Sequence, residues 1–290
     1  MILFDGSKRV YKGNLHVHTT CSDGHKSPEQ VIELYKSHGY DFLAITDHRK
    51  VSYPTSYYGD FTVLSGMEVD FNEARMVYHI LGIGISEEVG RSYVQGRGVQ
   101  AAIDSIVEDG GVPILAHPSW SLNTPAAMMA LRNVDICEIY NTVSGLPWNA
   151  DRADASILVD ESATLGKCFK LVATDDAHWY TGEHCRSYTM VQAENNSQEA
   201  LIKALKEGNF YASQGPEIKL VSVEGRSVHV ECSQAVCVMF SSDAVWSKDR
   251  SVHGENITKA DYDLLPNEHF VRITVIDAEG RRAWFSPIEF

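Results

Sequence analysis

The sequence lacks long apolar runs and an excess of basic residues, and both absences narrow its class. No run approaches the ~18 apolar residues of a membrane span, and the N-terminal residues show no basic segment followed by an apolar one. We therefore expect a cytoplasmic protein with no membrane partner. Its 25 Lys and Arg residues are outnumbered by 39 Asp and Glu, which gives a net charge of −14. This balance argues against a stable nucleic acid partner, because such a partner requires a basic surface.

Cysteine is also sparse, with six residues in 290. The cysteines form no CxxC pair and no dense cluster, so the sequence predicts neither a cysteine-based zinc site nor a disulfide framework. We interpret them as reduced and mostly buried. Cys21 lies in a stretch rich in imidazole and carboxylate groups, but a structural role is the simpler interpretation because those harder ligands surround it.

The chain does contain short apolar runs that alternate with helical patterns. After a first run around Leu15 and Val17, the runs occupy residues 42–46, 61–65, 78–83, 112–116, 136–140 and 169–174. Strands that are apolar on both faces and alternate with helices are typical of a mainly parallel α/β sheet. Seven such runs favour a barrel, and a doubly wound open sheet is the alternative.

Residues typical of helix N-termini mark the starts of two predicted helices. Ser27 is a predicted N-cap, followed by Pro28 and by Gln30 at the capping-box position. Thr124 and Pro125 form a second start of this kind, and further helical patterns cover residues 99–108, 151–165 and 197–207. These signals predict helices between the apolar runs.

The pattern changes at Pro216, where helical periodicity stops. Short alternating runs follow at 218–223, 227–232, 236–240, 270–277 and 282–285. They predict a small C-terminal antiparallel β-sandwich, with Trp246, Trp284 and Phe285 in its core. We therefore divide the chain into residues 1–215 and an accessory domain of residues 216–290.

Side chains of metal-ligand type recur at the ends of the predicted strands. His16 and His18 are two residues apart on one strand, so they project to the same side. In an α/β barrel the strand ends face one mouth, where side chains distant in sequence meet. The candidates are His16, His18, Asp23, His48, Glu68, His79, His117, Asp176 and His178. This number exceeds what one ion binds, so the sequence predicts a multinuclear site with a bridging carboxylate.

With these motifs in this order, the chain resembles the PHP (polymerase and histidinol phosphatase) family of metal-dependent phosphoesterases. The resemblance covers roughly residues 12–215 and implies a distorted TIM-like barrel of seven β/α units. The β-rich tail is similar to a two-domain subgroup. The motifs are His16-Val17-His18, Ser22-Asp23-Gly24, Thr46-Asp47-His48, Gly66-Met67-Glu68, His79-Ile80-Leu81-Gly82, Ala116-His117-Pro118 and Asp176-Ala177-His178.

The resemblance also implies two or three divalent metal ions (Mn, Zn or Fe) and a ligand set for each. The first ion would be held by His16, His18, Glu68 and Asp176, the second by Glu68, His79 and His117, and the third by Asp23, His48 and His178. Some members have His where this chain has Asp23, and the carboxylate favours a harder ion such as Mn²⁺ or Mg²⁺ there. Glu68, Asp176 and His178 are the expected catalytic residues.

The implied activity is hydrolysis of phosphomonoesters or small phosphodiesters, either nucleotides or phosphorylated metabolites, with a metal-bound hydroxide as nucleophile. One alternative is a nuclease for short oligonucleotides, against which the acidic balance argues. Another is a non-catalytic metal-stabilised binding protein. The complete ligand set argues against that alternative, because a site that had lost its catalytic function would not need nine polar groups at one mouth.

Other polar residues near the predicted strand ends have both a functional and an ordinary interpretation. The candidate substrate-binding residues are Arg49, Asn141, Arg152 and Arg186; an Arg is otherwise a surface charge and an Asn a turn cap. His25 and His184 are candidate proton donors to the leaving group. Asp47 and Asp175 each either orient a liganding imidazole or cap a turn.

Overall fold

A continuous hydrogen-bonded sheet of 16 strands runs through the structure, a computed structural model that describes residues 1–73, 75–92 and 98–290. The strands are β1 (Ile2–Asp5), β2 (Val10–Asn14), β3 (Phe42–Ile45), β4 (Ser56–Tyr58), β5 (Phe61–Glu73), β6 (Met76–Ile83), β7 (Val112–Leu115), β8 (Ile136–Asn141), β9 (Lys170–Thr174), β10 (Tyr188–Gln192), β11 (Phe210–Ser213), β12 (Ile218–Glu224), β13 (Ser227–Ser241), β14 (Ser251–Asp263), β15 (Phe270–Ile276) and β16 (Arg282–Glu289). The helices are α1 (Pro28–Ser37), α2 (Glu87–Ser92), α3 (Val99–Glu108), α4 (Pro125–Ala130), α5 (Ser156–Thr164) and α6 (Gln198–Glu207). The fold is therefore mixed α/β.

The helix starts follow the sequence signals. Ser27 Oγ accepts from the Gln30 N–H at 3.3 Å, and Gln30 Oε1 accepts from the Ser27 N–H at 2.9 Å, which completes the predicted capping box of α1. Thr124 caps α4 and Ser197 caps α6, each by a single bond in which the hydroxyl accepts from the N–H three residues later. None of the helices in the described part of the chain is long and apolar enough to span a membrane.

Strand direction agrees with the predicted parallel sheet only in part. Neighbours along the sheet follow the order β1-β12-β13-β15-β16-β11-β10-β2-β3-β5-β6-β7-β8-β9, with β14 beside β13 and β4 beside β5. The pairs β2–β3, β3–β5, β7–β8 and β8–β9 are parallel. In contrast, β6 is antiparallel to both β5 and β7. No helix separates β5 from β6, so the chain returns alongside itself instead of crossing over.

A closed barrel is not confirmed. In the described chain β2 and β9 share no strand pairing, and the residues after them meet through an isolated bridge between Val17 and Ala177. His16 and His18 flank this bridge, beyond the end of β2, so the prediction that both lie within the strand is wrong. The bridge nevertheless brings the two strand ends together.

The predicted C-terminal sandwich is not shown either. Strands β12 to β16 form antiparallel pairs that continue into the rest of the sheet, because β16 pairs with β11 and β1 pairs with β12. The two predicted strands at 227–232 and 236–240 form a single strand, β13. The sequence analysis missed β14, because most of its side chains are exposed and give no apolar alternation. The division at residue 216 stays a prediction.

The tryptophans of this C-terminal segment differ in burial. Trp284 is completely buried and stacks on Tyr140 with 5.6 Å between ring centroids, and Phe285 is buried as well. Trp246 is 76% exposed, so its predicted place in a core is wrong. It lies in the loop between β13 and β14, outside the strands whose alternation places side chains inside. All six cysteines are free thiols, as predicted, and three are buried.

Candidate metal centre

Two ligand-bearing segments lie side by side because their backbones are hydrogen-bonded. The His18 N–H donates to the Ala177 carbonyl at 3.0 Å, and the Asp176 N–H donates to the His16 carbonyl at 2.9 Å. These bonds flank the bridge of Val17 to Ala177. Consequently His16 Nε2 lies 3.1 Å from Asp176 Oδ1, and His18 Nε2 lies 3.1 Å from the same oxygen.

Glu68 reaches the centre of the site from β5. Its Oε2 lies 3.3 Å from His16 Nε2, 3.2 Å from His18 Nε2 and 3.1 Å from His48 Nδ1. Its Oε1 lies 3.1 Å from His117 Nε2. One carboxylate therefore contacts four imidazoles, and its side chain is 2% exposed.

The nine predicted ligands form three joined clusters, in each of which the potential ligand atoms lie within 4.8 Å of one another. The first cluster contains His16, His18, Glu68 and Asp176, and the second contains Glu68, His79 and His117. The third contains Asp23, His48 and His178, together with His18, which the sequence analysis assigned only to the first. Glu68 joins the first cluster to the second, and His18 joins the first to the third.

The donor set suits divalent cations. His18 Nδ1 and His79 Nδ1 are buried, and neither has a hydrogen-bond partner among the residues that the structure describes. A buried polar atom without a partner is costly, so these nitrogens fit ligands better than structural groups. Imidazole nitrogens combined with carboxylate oxygens are typical of Zn, Mn and Fe sites.

The carboxylates of the clusters favour the protonated form of His16 and His18, whereas burial favours the neutral form of His79. Burial disfavours a charged ring at His18, but hydrogen bonds to Asp176 and Glu68 outweigh it and raise its pKa to about 9. Burial opposes charge at His16 too, and Asp176 and Glu68 again raise its pKa well above the ordinary value. At His79 burial prevails and lowers the pKa to about 4. Burial alone would raise the pKa of Glu68, but the neighbouring His16 and His79 hold it well below its usual range.

Asp23 enters the third cluster on a tight loop that Asp47 organises. Asp47 accepts from the Thr19 N–H and the Thr19 hydroxyl, both at 2.7 Å, and from the hydroxyls of Ser22 and Ser52. Among its two interpretations, these contacts support the turn-capping one. The loop folds so closely that a Cβ on Gly24 would lie 2.2 Å from the His18 carbonyl oxygen. Only glycine fits there without a shift.

Two ligands occupy unusual backbone conformations at strand ends. His117 has φ 27° and Asp176 has φ 53°, which is the left-handed region that non-glycine residues rarely adopt. Strain of this kind persists where the surrounding structure over-determines it, often at functional sites. Here it turns each side chain toward Glu68 or the paired histidines.

The sequence analysis missed Glu138, which lies within β8. It is 1% exposed and accepts four hydrogen bonds from residues of the clusters and their supports. The signal was present, because an acidic residue in the apolar run Ile136-Cys137-Glu138-Ile139 is rarely buried without a partner. Asn141 lies next to it, and its Nδ2 donates to Glu138 Oε2 at 2.8 Å and to Asp176 Oδ2 at 3.2 Å.

The three candidate arginines have different environments. Arg49 forms a bidentate pair with Asp70, with Nε to Oδ1 at 2.7 Å and Nη2 to Oδ2 at 2.8 Å. Arg186 lies over the ring of Trp148, with 5.2 Å to the centroid. Arg152 is exposed. Their roles toward substrate, and that of Asn141, stay predictions.

The remaining candidates lie near the third cluster or support its loops. The His25 N–H donates to the His178 carbonyl at 2.7 Å, and its side chain is exposed. His184 is half-buried, and its Nδ1 is buried with no partner in the described ranges of the chain. Asp175 accepts from the Tyr35 hydroxyl at 2.8 Å and from three backbone N–H groups of residues 185–187, which supports a structural role.

Part of the chain is similar in sequence to known proteins. Residues 14–88 match the model of the PHP domain. Over 82 residues the chain is 40% identical to a phosphoribosyl 1,2-cyclic phosphate 1,2-diphosphodiesterase from Eggerthella lenta. This match covers 26% of the chain and 31% of that protein, so the chain spans about a third of the curated relative's length.

A solved structure shares the fold over nearly the whole chain. It is a two-domain protein from Bacteroides vulgatus that contains a predicted PHP-like metal-dependent phosphoesterase. The TM-score is 0.57 over 99% of this chain and 97% of that chain, with 15% sequence identity. At that identity the likeness concerns the fold alone.

Proposed function

We propose that the chain, whose residues 14–88 match the PHP domain model, is a PHP-type metal-dependent phosphoesterase acting on small phosphomonoesters or phosphodiesters. The observation that carries this proposal is the sharing of ligands between clusters. Glu68 contacts histidines of all three clusters, and ions that share a carboxylate lie close together. Such an arrangement suits displacement at phosphorus, where attacking and leaving oxygens both need stabilisation.

Two or three divalent ions (Mn, Zn or Fe) would be held by the three clusters, and when bound they would lower the pKa of a shared water and hold the phosphoryl oxygens. Glu68, Asp176 and His178 are the proposed catalytic residues. His178 Nδ1 lies 2.7 Å from the Asp176 carbonyl oxygen, which only accepts, so Nδ1 carries the proton. The lone pair on Nε2 therefore faces the third cluster.

The proposed substrates are small anions. The curated relative is named for a phosphoribosyl cyclic phosphate, so cyclic phosphodiesters of phosphorylated sugars join nucleotides and phosphorylated metabolites as candidates. Arg49 is the strongest of the candidate phosphate ligands, because it follows the ligand His48 in the chain and its backbone N–H donates to the Glu68 carbonyl at 2.7 Å. A rearrangement that freed the guanidinium from Asp70 would present a bidentate donor to a phosphate.

The finer points of the fold belong to the same proposal. The bridge of Val17 to Ala177 supports closure of the strands from β2 to β9 as a distorted barrel. We retain residues 1–215 as the catalytic part and 216–290 as an accessory part. The nuclease and the non-catalytic binding protein remain the alternatives.

The test combines metal analysis with a substrate panel. The full chain, purified without chelators, is analysed for metal content and assayed with Mn²⁺, Zn²⁺ or Fe²⁺ on chromogenic phosphomonoesters and phosphodiesters, sugar cyclic phosphates, nucleotides and short oligonucleotides. We expect two or three ions per chain and turnover of small esters that chelation abolishes. Turnover of oligonucleotides alone would favour the nuclease. Bound metal without turnover of any substrate would favour the binding protein.

A further inference from the structure

We infer that Glu138 is a positioning residue of the metal centre, which holds His16 in the tautomer that presents Nε2 to the first cluster and fixes the backbone of His117 in the second. The inference rests on the proposed function only in requiring that the clusters bind metal. It does not depend on which ester is hydrolysed.

A negative charge on Glu138 carries a large desolvation penalty, because the side chain is buried. It is 1% exposed on β8, and its neighbours Cys137 and Ile139 belong to the apolar core. Burying a carboxylate without partners costs several kcal/mol, roughly, so the surrounding structure must supply donors.

Four donors converge on this carboxylate. Oε1 accepts from His16 Nδ1 at 2.8 Å and from the Thr174 hydroxyl at 2.7 Å. Oε2 accepts from the His117 N–H at 2.8 Å and from Asn141 Nδ2 at 2.8 Å. Every lone-pair direction of an ionised carboxylate is thus used, and no donor is shared between the two oxygens.

The contact with His16 determines which of its nitrogens can bind a cation. An ionised carboxylate only accepts, so His16 Nδ1 carries a proton. When the ring loses its second proton to solvent, the lone pair that could bind a cation is left on Nε2, which lies 3.1 Å from Asp176 Oδ1 and 3.3 Å from Glu68 Oε2. A carboxylate on the far nitrogen of a liganding histidine also raises the basicity of the ring.

Glu138 differs from an ordinary buried acid because its contacts reach three ligand-bearing segments. Besides His16, it bonds the backbone N–H of His117, whose φ of 27° needs support. Asn141 donates both to Glu138 and to Asp176 Oδ2, so through Asn141 Glu138 also orients the Asp176 carboxylate. Glu138 therefore holds one ligand of the first cluster and one of the second through the same carboxylate.

The test measures metal affinity, not activity. In Glu138→Gln the amide N–H₂ must face one of the two donor pairs, so either His16 Nδ1 or the His117 N–H loses its acceptor. We expect the apparent Kd for Zn²⁺, measured by chelator competition on the full chain, to rise about 10- to 100-fold. Long-range ¹H–¹⁵N spectra of the Zn²⁺-loaded wild-type chain should show His16 protonated on Nδ1.

Glu268→Gln is the matched control. Glu268 is also 1% exposed and accepts from the Tyr262 hydroxyl, the Ser242 hydroxyl and the Leu265 N–H, all in the C-terminal strands and loops. It should lose stability without changing the Kd. An equal loss of affinity in both variants would overturn the inference, since it would show a general effect of losing a buried carboxylate.

Should Glu138→Gln not fold, Glu138→Asp retains the charge but withdraws the carboxylate from His16 by one methylene group. We expect it to weaken Zn²⁺ binding severalfold, and a wild-type Kd would overturn the inference. His16 protonated on Nε2 in the loaded wild-type chain would also overturn it. A chain that binds metal but hydrolyses none of the panel would contradict the proposed function and leave this test intact.

Discussion

Glu68 is the residue on which the proposed centre depends most. We predict that Glu68→Gln loses the ions of the first two clusters and at least 100-fold in turnover, because an amide is a weak metal ligand and cannot bridge two cations. Metal content and hydrolysis should be measured on the same samples. Glu73→Gln, an exposed change at the end of the same strand, is the control and should match the wild-type chain. A fully active Glu68→Gln would refute the assignment.

The histidines predict that the stability of the metal-free chain depends more strongly on pH than that of the metal-loaded chain. The folded pKa of His18 is raised from 6.5 to about 9. Its contribution to stability is therefore fully present below pH 6.5 and is lost as pH rises through about 9. We predict that Tm of the chelated chain falls between pH 6.5 and 9, while Tm of the loaded chain falls less, since cations have replaced those protons.

Calorimetry provides the matching measurement for metal binding. Because His16 and His18 are protonated before a cation binds, binding should release protons, and the observed heat should depend on the ionisation enthalpy of the buffer. A Tm that rises with pH in the chelated chain, or heats that do not vary with the buffer, would contradict this account.

At the residue scale, the sequence contained the ligands but not their supports. Metal chemistry restricts a ligand to a few residue types, so all nine candidates were visible at the ends of the predicted strands, and the structure brings all nine together. Glu68 and His79 lie inside β5 and β6, because both strands are longer than their apolar runs indicated. The apolar run around Glu138 indicates that this acid needs partners, but which groups Glu138 and Asn141 support is visible only from their contacts in the structure. Asn141 is an example: its hydrogen bonds to Glu138 and Asp176 are seen only in the structure, and its role toward substrate stays a prediction.

At the scale of elements, the loop of residues 19–24 is closely packed against the backbone of its neighbours. A Cβ at position 24 would collide with backbone atoms of His18 and Thr19, which cannot give way without moving His18 itself. We predict that Gly24→Ala shifts Asp23 out of the third cluster and lowers bound metal by one ion per chain, while the first two ions remain. Gly254→Ala, where a Cβ meets only Ile257 side-chain atoms at 3.7 Å or more, is the control. Unchanged metal content in Gly24→Ala would contradict the loop's proposed role.

Element boundaries were predictable where local chemistry sets them. Capping groups placed the starts of α1 and α4, because a cap is satisfied within a few residues of the chain. The helical pattern placed α6 to within one residue, and Ser197 is its N-cap and not its first residue. Strand direction was not predictable, because β6 is antiparallel to its neighbours for reasons of connection and not of composition. The convergence of His16 and His18 was expected from strand alternation but arises from the bridge to Ala177.

At the scale of the whole molecule, the C-terminal strands are built into the structure. Strand β11 pairs with β16, and the buried Trp284 belongs to the same apolar cluster as Val69, Ile139 and Leu171. Arg272 of β15 forms a bidentate pair with Asp160 of α5, at 2.7 and 2.8 Å, with the arginine 3% exposed. Because the arginine is buried and the Asp160 side chain is 24% exposed, breaking this partly buried pair leaves the arginine without its partner, so the contact resists separation of the two parts.

This arrangement predicts that destabilising the core at Trp284 also weakens retention of metal at the metal centre. Trp284→Ala should lower the free energy of unfolding by about 3–5 kcal/mol, because it leaves a large cavity against Tyr140. Trp246→Ala, at a side chain that is 76% exposed, should change it by less than about 0.5 kcal/mol. Both are measured by denaturant unfolding of the full chain with metal release followed in parallel. In Trp284→Ala we expect unfolding and metal release to shift together to lower denaturant. If metal release kept its wild-type midpoint while the C-terminal strands melted early, the two parts would be separate folding units and residues 216–290 a detachable accessory.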